Sequence, residues 1–286
     1  MANLKEIRSR IATVSSTMQI TSAMKMVSAA KLKKAQDAIT QMRPYADKLT
    51  ELLQSLSASL DADAGGKFSD NREVQKILVV AITSNRGLCG AFNSNIIKQC
   101  VSLLHGMYED KQVDFMAIGK KGNDILGKKF NVIANHSEVY DTLTFDSVTL
   151  IAEELMEHFT SGSYDRVELV YNKFKNAATQ IVMTEQFLPI VPAEEDETSV
   201  TDYIFEPSKE EIVEELIPKS LKTQLYKAVR DSFASEHGAR MTAMHKATDN
   251  ATELRDQLKL TYNKARQAAI TNEILEIVGG AEALNN

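Results

Sequence analysis

Leu4-Lys5-Glu6-Ile7-Arg8-Ser9-Arg10-Ile11-Ala12-Thr13-Val14-Ser15-Ser16-Thr17-Met18 sets apolar side chains at Leu4, Ile7, Ile11, Val14 and Met18, in alternating steps of three and four. That alternation keeps one stripe of a helix against a partner helix. The same phase lands on Thr21, Lys25 and Ser28, and turns apolar again at Leu32, Ala35, Ile39, Met42, Ala46, Leu49, Leu53, Leu56 and Leu60. Within the polar gap, Ile20, Met24 and Val27 sit one position earlier, about 100° round the helix. A local rotation of the buried face is therefore expected. Pro44 lacks an amide hydrogen and marks a kink rather than an end, because the seam's phase crosses it.

The C-terminal third carries a second stripe, from Ile212, Leu216, Leu221, Leu225 and Val229 to Met244, Ala247, Ala251, Leu254 and Leu258, interrupted by Pro218 and Gly238. Its last stretch aligns Ile270, Ile274, Ile277, Ala281 and Leu284, with Leu275 and Val278 beside them, so the tip is apolar on more than one side. A helix from Ser208 to Leu284 would run on the order of 110 Å, too long to fold back on one globule. Pairing with the N-terminal helix is expected. Between the helices, Ile77 to Thr83, Val113 to Ile118, Val167 to Tyr171 and Gln180 to Thr184 read as strands, and Asn93 to Tyr108 and Asp146 to Thr160 as helices. This alternation implies a Rossmann-like α/β domain with a mostly parallel sheet. The expected organisation is an N-terminal coiled-coil helix over 1–60, a central α/β domain over 74–192 and a C-terminal coiled-coil helix over 208–286. A polar linker, Asp61 to Glu73, leads into the domain, and its other boundary falls near Pro192 to Pro207.

With 286 residues and 43% apolar content, the chain can bury a real core. The longest aliphatic run, Ile77 to Ile82, is far short of the roughly 20 residues that span a bilayer, and no signal-peptide pattern opens the chain, so a soluble intracellular protein is expected. Cys89 and Cys100 lack metal-ligand spacing and read as reduced thiols. The net charge of −6 is uneven: the first 50 residues hold nine Lys/Arg against three acids, whereas Glu194 to Glu215 holds ten acids and one lysine, a solvated charge run.

Enzyme-like signals are weak throughout. The turn Thr83-Ser84-Asn85-Arg86-Gly87-Leu88-Cys89-Gly90-Ala91-Phe92-Asn93 follows a strand and opens a helix, where phosphates often sit on free amides. Its glycines fit neither GxGxxG nor GxxxxGK[ST], so a structural turn without direct nucleotide binding is expected. The five histidines show no HExxH pattern, and His237 and His245 lie too far apart to share a metal. Ser235-Glu236-His237 point around the helix circumference, not at one another, and Glu236 with Arg240 reads as a surface i,i+4 pair. The basic N-terminal rod lacks interleaved aromatics, which argues against nucleic acid.

Ile7-Arg8-Ser9-Arg10-Ile11 and Gln19-Ile20-Thr21-Ser22-Ala23-Met24-Lys25-Met26-Val27 resemble the N-terminal helix of ATP synthase gamma subunits. Arg86 to Asn93 is similar to that family's central-domain turn, with Asn85 and Ala91 departing from its usual Asp and Gly. Ala234-Ser235-Glu236, Ala239-Arg240-Met241 and Tyr262 to Thr271 resemble its C-terminal helix, and Ile270 to Ala283 fits its closing signature throughout. Gly238 stands where the family often has Ala, at a local cost near 1 kcal/mol. The resemblance spans the chain in order. There is no inserted cysteine pair of the kind chloroplast members use for redox control, so no thiol switch is expected.

The resemblance implies a non-catalytic central stalk without cofactor or metal. Its partners would be the alpha and beta subunits of the catalytic head, the epsilon subunit and the membrane-embedded ring of proton-carrying subunits, at the cytoplasmic face of the bacterial membrane. It further implies contacts to the head by Arg266, Gln267, Thr271 and Glu273 on the polar flank of the upper C-terminal helix. Tyr203-Ile204-Phe205-Glu206-Pro207 resembles the segment near the membrane ring, so Tyr203 and Phe205 are expected there. The greasy tip, with Ile274 and Ile277, calls for an apolar sleeve. The phase shift around Met24 and Lys25 is read as turning the stripe toward the surrounding head. Two rivals remain: an α/β enzyme with helical arms, and a passive coiled-coil scaffold.

Overall fold

The computed structural model describes residues 4–57, 66–70, 72–190 and 209–284. Two helices frame the chain, α1 (Leu4–Ser57) and α5 (Lys209–Leu284). Neither Pro44 nor Pro218 nor Gly238 breaks its helix. The chain divides into two compact units, one of Met1–Ser28 with Met241–Asn286 and one of Ala29–Arg240.

The smaller unit is a helix pair whose direction follows from its side-chain contacts. Arg8 donates to the Tyr262 hydroxyl at 2.8 Å, Thr252 and Arg255 reach the Met18 sulfur at 3.3 and 3.5 Å, and Thr21 meets Thr248 at 2.8 Å. Partners descend along α5 as α1 ascends, so the pair is antiparallel. On α1 the seam keeps its phase through the gap. Thr21 (9% exposed) and Ser28 (3%) are buried, while Ile20 and Val27 lie exposed. The expected rotation of the buried face is thus overturned, because Thr21 finds a hydroxyl partner and needs no apolar substitute. On α5 Met244, Thr248, Ala251, Arg255, Leu258 and Tyr262, spaced in steps of four and three, are each buried or half-buried. Ala247 and Leu254 were expected in that stripe; Ala247 is half-buried beside Thr248, whereas Leu254 is exposed and Arg255 takes the seam.

In the larger unit the α1 seam continues through buried Leu32, Ala35, Ile39, Ala46 and Leu49. The α/β domain follows as β1 (Lys76–Ile82), α2 (Phe92–His105), β2 (Gln112–Ile118), α3 (Lys120–Leu126), β3 (Val132–Asn135), α4 (Phe145–Thr160), β4 (Arg166–Phe174) and β5 (Gln180–Leu188). The sheet order is β3-β2-β1-β4-β5, parallel except for β5, which runs antiparallel to β4. Parallel strands must be covered on both faces, and their near-continuous apolar runs show it. Leu78, Val80, Ile82, Leu169 and Tyr171 pack under α4 and the Ile217–Val229 stretch of α5. Ile77, Val79, Ala81 and Val170 pack under α2 and α3 on the other face.

Sequence reading finds the four longer strands and both longer helices of this domain, and misses α3 and β3. Four residues of β3 are too few to show alternation, and α3 holds Gly122 in its single apolar turn. Gly122 is there for a reason of space: a Cβ would stand 2.8 Å from the Thr83 hydroxyl, which accepts the Gly122 amide at 2.8 Å. The strand β5 runs four residues past its expected end, because polar Glu185 and Gln186 are taken up by Tyr171, Arg166 and Gln224.

Candidate functional site

The order β3-β2-β1-β4 reverses direction between β1 and β4, and open α/β sheets bind ligands in the crevice beyond the strand ends at such a switch point. Here α5 fills that crevice. Ser232 Oγ donates to the Ile82 carbonyl at 3.4 Å and Ser235 Oγ to the Asn172 carbonyl at 2.9 Å, at the ends of β1 and β4. Gly238 lies flat on the β4–β5 turn, where a Cβ would stand 3.2 Å from the Ala177 Cα.

The turn after β1 is closed by its own side chains and by α5. Asn93 Oδ1 accepts the Ser84 amide at 2.9 Å, and Ser84 Oγ donates to the Arg86 carbonyl at 2.7 Å. Leu88 and Gly90 take positive φ values of 62° and 59°, which bend the loop back. Arg240 then binds its carbonyls, Nη2 reaching Arg86 O at 2.9 Å and Gly87 O at 3.2 Å. A phosphate needs free amides pointing outward. On the side that faces α5 this turn presents carbonyls, already bound by a guanidinium.

Glu236 and Arg240 do pair, at 2.6 Å, but not on the surface as their spacing suggested: they are 7% and 6% exposed. Burial pushes the Glu236 carboxyl up, opposed by the Arg240 cation. Burial pushes the His237 imidazole down to about 3, with Arg240 and Lys31 adding to the fall. Sequence reading finds the pairing of Glu236 with Arg240 and misses the burial of this polar group. Cys89 and Cys100 are free and buried, and burial pushes the Cys100 thiol up to about 12.

Elsewhere a shallow cavity of about 430 Å³ is lined by Lys76, Gln112, Asp114, Glu154, His158 and Tyr164. Asp114 is spent on internal donors, Tyr164 and Asn131 at 2.9 Å each, which leaves it no free pair of oxygens for acid–base work. Among the described residues no group of three or more His, Cys, Asp or Glu is placed to hold a metal ion, and no helix is long and apolar enough to cross a membrane.

The candidate contact residues lie on the helices. Met24 and Lys25 are half-buried on α1, with Ile20, Met26 and Val27 exposed beside them. Arg266, Gln267, Thr271, Glu273, Ile274 and Ile277 are all exposed on α5. At 100° per residue these six fall within about 160° of the helix circumference, with Gln267, Thr271 and Ile274 turned away from the seam that faces α1 and Arg266 and Glu273 on its angular line. Tyr203 and Phe205 lie outside the described residues.

A family model described as ATP synthase matches residues 3–284. A relative from Flavobacterium psychrophilum, an ATP synthase gamma chain, is 76% identical over 99% of both chains. The chain belongs to the ATP synthase gamma-chain family. The gamma chain of Flavobacterium johnsoniae is 73% identical over the full length of both chains. Among solved structures, one from the Tetrahymena thermophila mitochondrial ATP synthase central stalk and c-ring covers 80% of this chain and 99% of its own, at 27% identity and a TM-score of 0.60. One from the Euglena gracilis mitochondrial ATP synthase, OSCP, F1 and c-ring, covers 98% and 94% at 24% identity and a TM-score of 0.69. The gamma-chain fold of a central stalk is therefore the fold of this chain, and its function is that of a gamma chain of ATP synthase.

Proposed function

We propose that this gamma chain is the non-catalytic rotor of a proton-driven ATP synthase, turning inside a head of alpha and beta subunits and joined at its foot to epsilon and the membrane ring. It works at the cytoplasmic face of the bacterial membrane, and the alternating states of the head follow from the different surfaces that the shaft offers as it turns. The observation that carries the reading is the uncovered apolar end of α5: Ile270, Ile274, Leu275, Ile277 and Val278 are all exposed, Ile277 at 71%. A patch of this kind on a folded chain calls for an apolar partner surface. The closed switch-point crevice supports a chain that moves nucleotide chemistry in others without binding nucleotide itself.

In this reading Arg266, Gln267, Thr271 and Glu273 touch loops of the head, Ile274 and Ile277 run in an apolar sleeve, and Met24 and Lys25 face the head from α1. Exposed Ile20 and Val27 support that last assignment for Met24, since they set apolar surface outside the helix pair on its side, while Lys25 reaches out from a seam position. Tyr203 and Phe205 belong to the foot. Reassembled enzyme carrying Gln267→Ala with Thr271→Ala should turn over ATP severalfold more slowly while the chain stays folded. Wild-type turnover in that double variant would remove both residues from the head contact.

A further inference from the structure

The stretch of α5 from Ser232 to Arg240 is held in a way that apolar packing alone does not require. Upstream, Leu221, Leu225, Ala228 and Val229 seat the helix on the sheet through non-directional contacts. A cylinder on such a seat can roll at modest cost, because one apolar contact replaces another. Beyond Val229 the fastening becomes directional. Ser232 and Ser235 bind carbonyls at the ends of β1 and β4, and Gly238 presses on the β4–β5 turn. Arg240 binds two successive carbonyls of the β1–α2 turn, with Nε also 3.3 Å from Gly87 O.

These four positions span about 200° of the helix circumference at 100° per residue. Rolling α5 either way therefore stretches a hydrogen bond on one side or drives the helix backbone into Ala177 on the other. Arg240 is the farthest round and the strongest single fastening, because a planar fork fixes both direction and distance to its acceptors. Glu236, 2.6 Å from Nη1, holds that fork in place.

We propose that Arg240 is a positioning residue that locks α5 against rolling in the α/β domain, so that torque applied to the domain is delivered to the helix. This rests on the rotor reading above and adds to it the joint through which the load passes. A buried ion pair needed only for stability would show its loss in unfolding. A torsional joint shows it in stiffness.

The test uses assembled holoenzyme with the head fixed and a rod attached to the α/β domain, whose thermal angular fluctuations at a stalled position report torsional stiffness. Arg240→Lys keeps the charge beside Glu236 but loses the fork, and Arg240→Ala loses both. Stiffness should fall at least by half in Arg240→Ala and by less in Arg240→Lys, and protons pumped per ATP hydrolysed should fall in the same order. Should Arg240→Ala fail to assemble, Arg240→Lys and Ser235→Ala carry the measurement, and both should be softer than the wild type. Wild-type stiffness and pumping ratio in normally assembled Arg240→Lys would overturn the joint. A rod that does not turn on the wild-type enzyme with ATP would overturn the rotor reading instead.

Discussion

His237 sits between an aromatic ring and a cation, meeting Phe233 edge-on at 4.5 Å with Nδ1 3.4 Å from Arg240 Nη1. Its Nε2 is buried without a hydrogen-bond partner among the described residues. The unfolded chain takes up this proton near 6.5, whereas the folded site resists it until about 3. Stability contributed by the neutral ring is therefore full above 6.5 and is lost as pH falls from 6.5 toward 3, with a limiting slope of about 1.4 kcal/mol per pH unit. Glu236 acts in the opposite sense, since its raised pKa adds stability below the usual carboxylate range and loses it as pH rises through the folded value. His237→Phe should flatten the acid limb, so that urea unfolding of the variant loses less stability between neutral pH and about pH 5 than the wild type, by up to roughly 2 kcal/mol. Parallel losses in the two proteins would show that another group governs the acid limb. At this scale the pairing of Glu236 with Arg240 was legible in the i,i+4 spacing, and its burial was not. A helix face that packs on strand ends is marked by serines and a charged pair, and polar residues at helical spacing look the same as a solvated surface.

The helices and strands were more legible than the residues that join them. Heptad phase predicted the α1 seam from Ile7 to Leu49, because burial in a helix pair depends on position in the repeat more than on residue type. On α5 the apolar spelling passed over Thr248 and misled by one place at Leu254, where Arg255 holds the seam. Their reasons lie across the interface, in Thr21 and the Met18 sulfur. The hydroxyl pair should behave as a unit. Thr21→Val or Thr248→Val alone leaves one buried hydroxyl without its cross-helix partner and should cost about 1 kcal/mol. The double variant should recover most of that loss, because removing both partners with matched shape is nearly neutral. Chemical unfolding of the four proteins gives the coupling directly, and additive losses would show that the two threonines contribute independently. The missed elements, α3 and β3, are short, and what fixes them, a fit of α3 around Thr83 and the pairing of β3 with β2, is expressed by no periodicity.

For the molecule as a whole, the decisive quantity is apolar surface that the chain does not cover. Ile274 and Ile277 are 55% and 71% exposed near the end of α5, and neither belongs to the seam. Covering an isoleucine side chain is worth about 1.5–3 kcal/mol, so two of them left in water are a standing affinity for an apolar partner surface. Replacing both by Ser should separate stability from assembly. In the isolated chain the unfolding free energy should stay within about 0.5 kcal/mol of wild type, since exposed side chains away from packing contribute little. The same chain should aggregate less at high concentration, having lost the contiguous patch. In reassembled enzyme the outcome should reverse: the variant should dissociate from the head several times faster, and ATP turnover per assembled complex should fall, because the sleeve now surrounds two hydroxyls without partners. Dissociation rates by surface immobilisation of the head, measured beside the unfolding of the free chain, read both halves. A variant that leaves the head no faster than wild type, with its fold intact, would mean that the apolar end of α5 is not gripped there, and the sleeve contact would have to be given up.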